Sequence, residues 1–164
     1  MASDLMASDL AARVLDSARA AGRTIATAES CTGGMVSAAL TDIAGSSDVV
    51  ICGFVTYANS AKQRMLGVTK SSLTKFGAVS EQVAHEMACG AVAASQANLA
   101  VSITGIAGPG GSDHKPEGRV CFGLFDEVTG TTEIETVEFG ALGRSQVRMA
   151  ARDHALQMIL SHLQ

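Results

Sequence analysis

The chain has 164 residues, with 12 basic and 16 acidic side chains giving a net charge of −4. That is the length of one domain, and the acidic balance argues against a nucleic-acid binder built on a broad basic face. Apolar residues make up 47% and charged residues 17%, which excludes a disordered chain.

With 27 alanines, 17 glycines, one tyrosine and no tryptophan, the core must be packed from small side chains with backbones close together. The cysteines at 31, 52, 89 and 121 form no C-x-x-C pair and have no histidine cluster beside them. Free thiols in a cytoplasmic protein are the natural expectation. No apolar run reaches about 18 residues, so no membrane span is expected. The N-terminus lacks a basic region followed by an apolar stretch, so no signal peptide is expected either. The pentapeptide MASDL occurs twice, at 1–5 and 6–10. Residues 1–9 are read as a tail without function, and 10–164 as a single domain.

Leu10, Val14, Leu15 and Ala18 share one helical face over 10–21, and Gly22 ends that helix. Residues 24–28 suit a short buried strand, 32–43 a helix, and 45–47 a turn. The run VVICGFVTY at 49–57 predicts a strand covered on both faces. A short helix follows at 59–66. Ser80 can cap a helix reaching about residue 96, with Glu81 in its first turn. A strand at 99–104 leads into a loop at 105–118 with five glycines and both prolines. Strands at 119–126 and 131–139 are joined by a turn at Thr129–Gly130, and a helix over 143–163 closes the chain. This order predicts a three-layer α/β/α domain with a mixed, mostly parallel sheet and one antiparallel strand.

In such sheets ligands bind beyond the C-terminal ends of the strands, and three segments fall there. In 28–34 (AESCTGG) a strand enters a helix through small residues, whose N–H groups can approach a phosphate or a developing oxyanion. Ser30 is placed as a nucleophile, and Cys31 beside it is an alternative if the helix terminus lowers its pKa. By spacing alone, a plain strand-to-helix turn capped by Ser or Thr is the more common outcome. In 56–62 (TYANSAK) the lone tyrosine, Tyr57, falls at a strand end. Lys62 follows, and a desolvated lysine can serve as base to a serine hydroxyl. In 104–111 (TGIAGPGG) a glycine-rich loop without a dinucleotide-binding register can wrap a phosphate or ribose. Arg144 and Arg148 lie four apart on the last helix and can hold a phosphate or carboxylate, or form a surface pair.

Three patterns are set aside. Ser72 and Lys75 match S-x-x-K without its S-D-N and K-T-G partners. His85, Glu86 and Cys89 resemble a zinc-binding H-E-x-x-H with its second histidine lost and no third ligand. Ser112, Asp113 and His114 are consecutive, and immediate neighbours do not face one another as a triad.

Taken together, TAESCTGG (27–34), TDIAGSS (41–47), GFVTYAN (53–59) with Lys62, GAVSE (77–81) and ITGIAGPGG (103–111) resemble the CinA C-terminal domain family in order and spacing. The resemblance runs from about Leu10 to His162. It implies hydrolysis of the carboxamide of nicotinamide mononucleotide to nicotinic acid mononucleotide and ammonia, in pyridine nucleotide recycling. It implies a serine–lysine mechanism without metal or cofactor, with Ser30 as nucleophile and Lys62 as base. Tyr57 would assist proton transfer or orient the pair. Ser47 is a second choice as nucleophile or relay. Thr32, Gly33 and Gly34 would supply oxyanion or phosphate donors, and Cys31 would lie against the substrate. Thr104, Gly105, Gly108 and Arg144 would line the nucleotide site. Glu29 would meet the pyridinium charge. The expected partners are a small-molecule nucleotide and a second copy of the chain, with no nucleic acid and no membrane. The competing expectation is a non-catalytic nucleotide-binding or competence-related module of the same fold. A third is an amidase for another pyridine or pyrimidine ribotide.

Overall fold

The computed structural model describes the backbone of residues 2–112 and 114–164, and side chains from Leu5 onward. Asp113 lies outside the described residues, so the Ser112–Asp113–His114 run is not taken further. Helix α1 (Ala2–Ala21) leads to strand β1 (Ile25–Glu29), helix α2 (Met35–Thr41), a 3-10 turn (Ser46–Asp48) and strand β2 (Val50–Val55). Helices α3 (Asn59–Leu66), α4 (Lys70–Phe76) and α5 (Glu81–Ser95) follow. Strands β3 (Leu99–Gly105), β4 (Arg119–Asp126) and β5 (Thr131–Glu138) complete the sheet, and α6 (Arg144–Leu163) closes the chain.

The sheet order is β2-β1-β3-β4-β5. β1 pairs parallel with β2 and with β3, whereas β4 is antiparallel to both β3 and β5. β4 alone runs against the others, as the strand order predicted. Leu10, Val14 and Leu15 of α1, Leu40 of α2 and Leu156 and Ile159 of α6 pack on Ile25, Val101, Ile103, Phe122 and Leu124. On the opposite face Leu66 of α3 and Val83, Met87 and Ala91 of α5 pack on Ala26, Ala28, Phe54 and Ala100. Each fully buried Leu, Ile or Met contributes roughly 1.5–3 kcal/mol. Small residues permit close approach: a Cβ at Gly90 of α5 would strike the Leu66 carbonyl. Among the described residues no helix is long and apolar enough to cross a membrane.

Three expectations are corrected. The first helix begins at Ala2 rather than near Leu10, so it takes in described residues of the segment read as a tail, and Ala7 is buried. α2 starts at Met35 rather than residue 32, because Cys31 to Gly34 form a turn in which Gly33 and Gly34 take positive φ. β2 lies at a sheet edge, not in the middle, and leaves Ile51 and Val55 about half exposed. A continuous β-branched run therefore did not require cover on both faces.

β1 continues through α2 on one face, and β2 continues through α3 to α5 on the other. The β1 and β3 C-terminal ends therefore flank the point where the winding reverses, the place where open α/β sheets bind ligands.

Candidate active site

Ser30 is the first residue beyond β1. Its N–H donates to the Ile103 carbonyl at 2.9 Å, and the Thr56 N–H donates to the Glu29 carbonyl at 2.9 Å. Both ladders thus run one step past the strands and fix the backbone on either side of the serine. Ser30 is 8% exposed.

Lys62, the fourth residue of α3, reaches under this end of the sheet and is 1% exposed. Its Nζ lies 2.9 Å from Ser30 Oγ, 2.8 Å from the Thr56 carbonyl and 3.1 Å from the Tyr57 carbonyl. None of these partners is a carboxylate. Burial lowers the Lys62 pKa to about 8, since a low-dielectric site disfavours the ammonium form. In the neutral amine the two carbonyls can take the two N–H groups, which leaves the lone pair directed at the Ser30 hydroxyl.

Above this pair lies a cleft of about 400 Å³. Ser30, Cys31, Tyr57 and Lys62 line it from one side, and Thr104, Gly105 and residues 106–112 from the other. Arg144 stands at its rim and donates to the Tyr57 phenol oxygen and to the Gly108 carbonyl, each at 2.8 Å. Thr104 is anchored by donating to the Ala78 carbonyl at 2.8 Å. No Asp or Glu is among the described residues lining the cleft, and Lys62 and Arg144 are its charged side chains. Nor do three His, Cys, Asp or Glu side chains converge as a metal site would need, among the described residues.

Several assigned positions have other duties. Glu29 is fully buried, and its carboxylate accepts the N–H groups of Val36 at 2.9 Å and Ser37 at 3.0 Å. It caps α2 from the strand side and does not face a substrate. Gly33 and Gly34 build the turn and do not line the cleft; the Gly33 N–H donates to the Ser30 carbonyl at 3.0 Å. Thr32 is buried behind them, with a hydroxyl that has no partner among the described residues. Ser47 is exposed in the 3-10 turn before β2. Ser30 follows the C-terminal end of the parallel neighbour β1, so Ser47 is at the far end of the sheet and is not brought to Lys62. Burial pushes the Cys31 thiol up to about 12, so the expected helix-terminus effect is overridden and the group stays protonated.

Tyr57 orients Lys62 through its carbonyl, while its phenol is engaged by Arg144 rather than by the serine–lysine pair. Arg144 and Arg148 part company as well. Arg148 donates Nε–H to the Cys31 carbonyl at 3.0 Å and an Nη2–H to the Thr32 carbonyl at 3.1 Å. The sequence reading gave no role to Thr56, Asn59, Ala78 or Val79. The last two fall in the GAVSE motif, which was the signal available for them. The patterns set aside earlier stay apart from the cleft: Ser72 donates to Glu86, and Cys89 contacts His85 on α5.

Comparison with known proteins identifies the family of this fold. The CinA C-terminal domain family matches residues 7–163. A nicotinamide-nucleotide amidohydrolase PncC of Enterobacter agglomerans is 50% identical over 87% of this chain and 86% of its own. The protein of the same name from Escherichia coli K12 is 49% identical over 96% and 93%. The crystal structure of the competence/damage inducible protein CihA from Agrobacterium tumefaciens superimposes with a TM-score of 0.93. It is 47% identical and covers 97% of this chain and 96% of that one. Identity, coverage and fold agree, and the chain belongs to the CinA C-terminal domain family.

Proposed function

We propose that this protein is a nicotinamide-nucleotide amidohydrolase that uses Ser30 as nucleophile and Lys62 as general base. The observation that carries the proposal is the buried Lys62 amine 2.9 Å from Ser30 Oγ at the floor of the cleft, with no carboxylate among the described residues that line it. The relatives named for this activity, at about half identity over most of both chains, supply the substrate.

A carboxamide is a poor electrophile, and an acyl-enzyme divides its hydrolysis into two easier steps. Ser30 Oγ attacks the carboxamide carbon while its proton passes to Lys62 Nζ. The oxyanion that develops is met by backbone N–H groups in the turn after Ser30. Lys62 returns the proton to the leaving nitrogen, the C–N bond breaks, and ammonia departs. Water, deprotonated by Lys62, then attacks the ester and frees the carboxylate product and Ser30. Arg144 offers a bidentate guanidinium to the 5′-phosphate. With no acidic side chain among the described residues of the cleft wall, the exposed ring of Tyr57 offers its face to the pyridinium cation. The route calls on side chains and backbone alone, without a metal.

The test is ammonia release from a panel of carboxamide and non-carboxamide nucleotides, with and without a chelator. Nicotinamide mononucleotide should be turned over, with equimolar carboxylate product and no loss of rate in chelator. Binding of the nucleotide without turnover would favour a non-catalytic module instead.

A further inference from the structure

Glu117 does not line the cleft, yet it ties two of its walls together. It lies on the return arm of the 105–118 loop, just before the point where the Ile106 N–H donates to the Arg119 carbonyl and the Gly118 N–H to the Ile106 carbonyl. Its Oε2 accepts the Gly110 N–H at 2.7 Å, and its Oε1 accepts the Gly143 N–H at 3.0 Å. Gly110 belongs to the glycine-rich wall, and Gly143 immediately precedes Arg144 at the start of α6. Arg144 in turn donates to the Gly108 carbonyl and the Tyr57 phenol. Glu117 and Arg144 therefore close a ring of contacts through Gly108, Gly110 and Gly143. The ring is packed as well as bonded, because a Cβ at Gly108 would sit 2.5 Å from Glu117 Cδ.

We infer that Glu117 is a positioning residue for substrate capture, holding Arg144 and the glycine-rich wall in one arrangement. The inference rests on the proposed substrate lying in this cleft with its anionic end at Arg144. The Glu117 carboxyl group bonds to Gly110 and Gly143 behind the wall and has no hydrogen bond to Ser30 or Lys62, so it acts on affinity and leaves the chemical step alone. Only an ionised carboxylate offers two acceptor oxygens to two N–H donors. A glutamine keeps one acceptor and presents an NH₂ where the second should be.

The test uses Glu117→Ala and Glu117→Gln in the full chain, with two readouts. Steady-state kinetics on nicotinamide mononucleotide should show KM raised about tenfold in Glu117→Ala, the loss of one or two charge-assisted hydrogen bonds. Glu117→Gln should fall between wild type and Glu117→Ala, and kcat should change less than about twofold in both. The second readout needs no substrate. Tyr57 is the sole tyrosine in a chain without tryptophan, so tyrosine emission of the ligand-free protein reports its contact with Arg144. Emission of Glu117→Ala should move toward that of Arg144→Ala. A fall in kcat at unchanged KM, or emission equal to wild type, overturns the inference. If the wild-type protein turns over no nucleotide, the functional proposal fails and the emission readout alone decides the role of Glu117. If Glu117→Ala does not fold, the isosteric Glu117→Gln carries both readouts.

Discussion

Arg148 donates its Nε–H to the Cys31 carbonyl at 3.0 Å, joining the last helix to the turn that follows Ser30. A second N–H reaches the Thr32 carbonyl at 3.1 Å. In a trans peptide the carbonyl and the following N–H point opposite ways. Turning the Cys31 carbonyl toward α6 therefore aims the N–H of Thr32 away from it, whereas the N–H of Gly33 is already taken by the Ser30 carbonyl. The expected outcome of Arg148→Ala is a kcat lowered about tenfold to a hundredfold with KM little changed, below the full loss of an oxyanion donor. Steady-state kinetics on the same substrate check this.

Lys62 must be neutral to accept a proton. With its pKa lowered to about 8, kcat/KM should rise with pH up to about 8 and level off above it. Lys62→Ala should lose about 10²–10⁴ in kcat.

The same burial carries a cost in stability. An unfolded lysine binds its proton up to its model value of 10.5, whereas the folded one releases it at about 8. The unfolded state thus binds more protons between those values, so stability rises with pH across that window. Below it the penalty is on the order of 3 kcal/mol. Lys62→Met, of similar volume and uncharged, should abolish turnover and raise Tm at pH 7. Thermal melts at pH 7 and pH 10 check this, and the gain should shrink at the higher pH.

Tyr57→Phe separates the two roles of that residue. Lys62 uses the Tyr57 backbone carbonyl, which the substitution keeps, and Arg144 uses the phenol, which it removes. The pH profile should keep its midpoint and kcat should stay within a few fold, while KM rises. A displaced midpoint in the pH–rate curve would show that the phenol acts on the base.

Far from the cleft, α6 is fastened by a charged cluster. The His162 ring contacts Asp126 Oδ2 at 2.9 Å and Glu133 Oε1 at 2.7 Å, and Arg23 donates to Asp126 at 2.9 Å. Burial lowers the His162 pKa, but its two carboxylate partners outweigh burial and hold it above the model value of 6.5. Burial likewise raises the Asp126 carboxyl, but hydrogen bonds from His162, Arg23 and two backbone N–H groups take it down to about 2. The histidine contribution is present below pH 6.5 and fades as pH rises through its folded pKa. The aspartate contribution is present above about pH 3.8 and fades as pH falls toward 2. His162→Gln should therefore cost about 1–2 kcal/mol near pH 5–6 and less near pH 9. Urea unfolding at the two pH values measures the difference.

The layer order, the strand sequence and the direction of β4 were legible because hydrophobic periodicity and short connections decide them. Ser30, Lys62, Tyr57 and Arg144 were legible because their motifs fall at strand ends or at the start of a helix. The roles of Glu29, Gly33 and Gly34 were not. A glycine-rich turn needs the same residues whether its N–H groups serve a ligand or the turn itself. A glutamate beside a nucleophile looks like a substrate contact until β1 turns its side chain toward α2. Ser47 shows the limit of motif membership, since shared order along the chain says nothing about which end of the sheet a loop occupies. Glu117 left no local trace, because its partners Gly110 and Gly143 are joined only by the fold.

The proposed mechanism stands on Ser30, activated by Lys62, as the nucleophile. Ammonia release from nicotinamide mononucleotide by Ser30→Ala, beside the wild-type and Ser47→Ala proteins, tests it most directly. Ser30→Ala should lose about 10³-fold or more in kcat, and Ser47→Ala should keep wild-type turnover. Wild-type turnover by Ser30→Ala, or its abolition in Ser47→Ala alone, would contradict it.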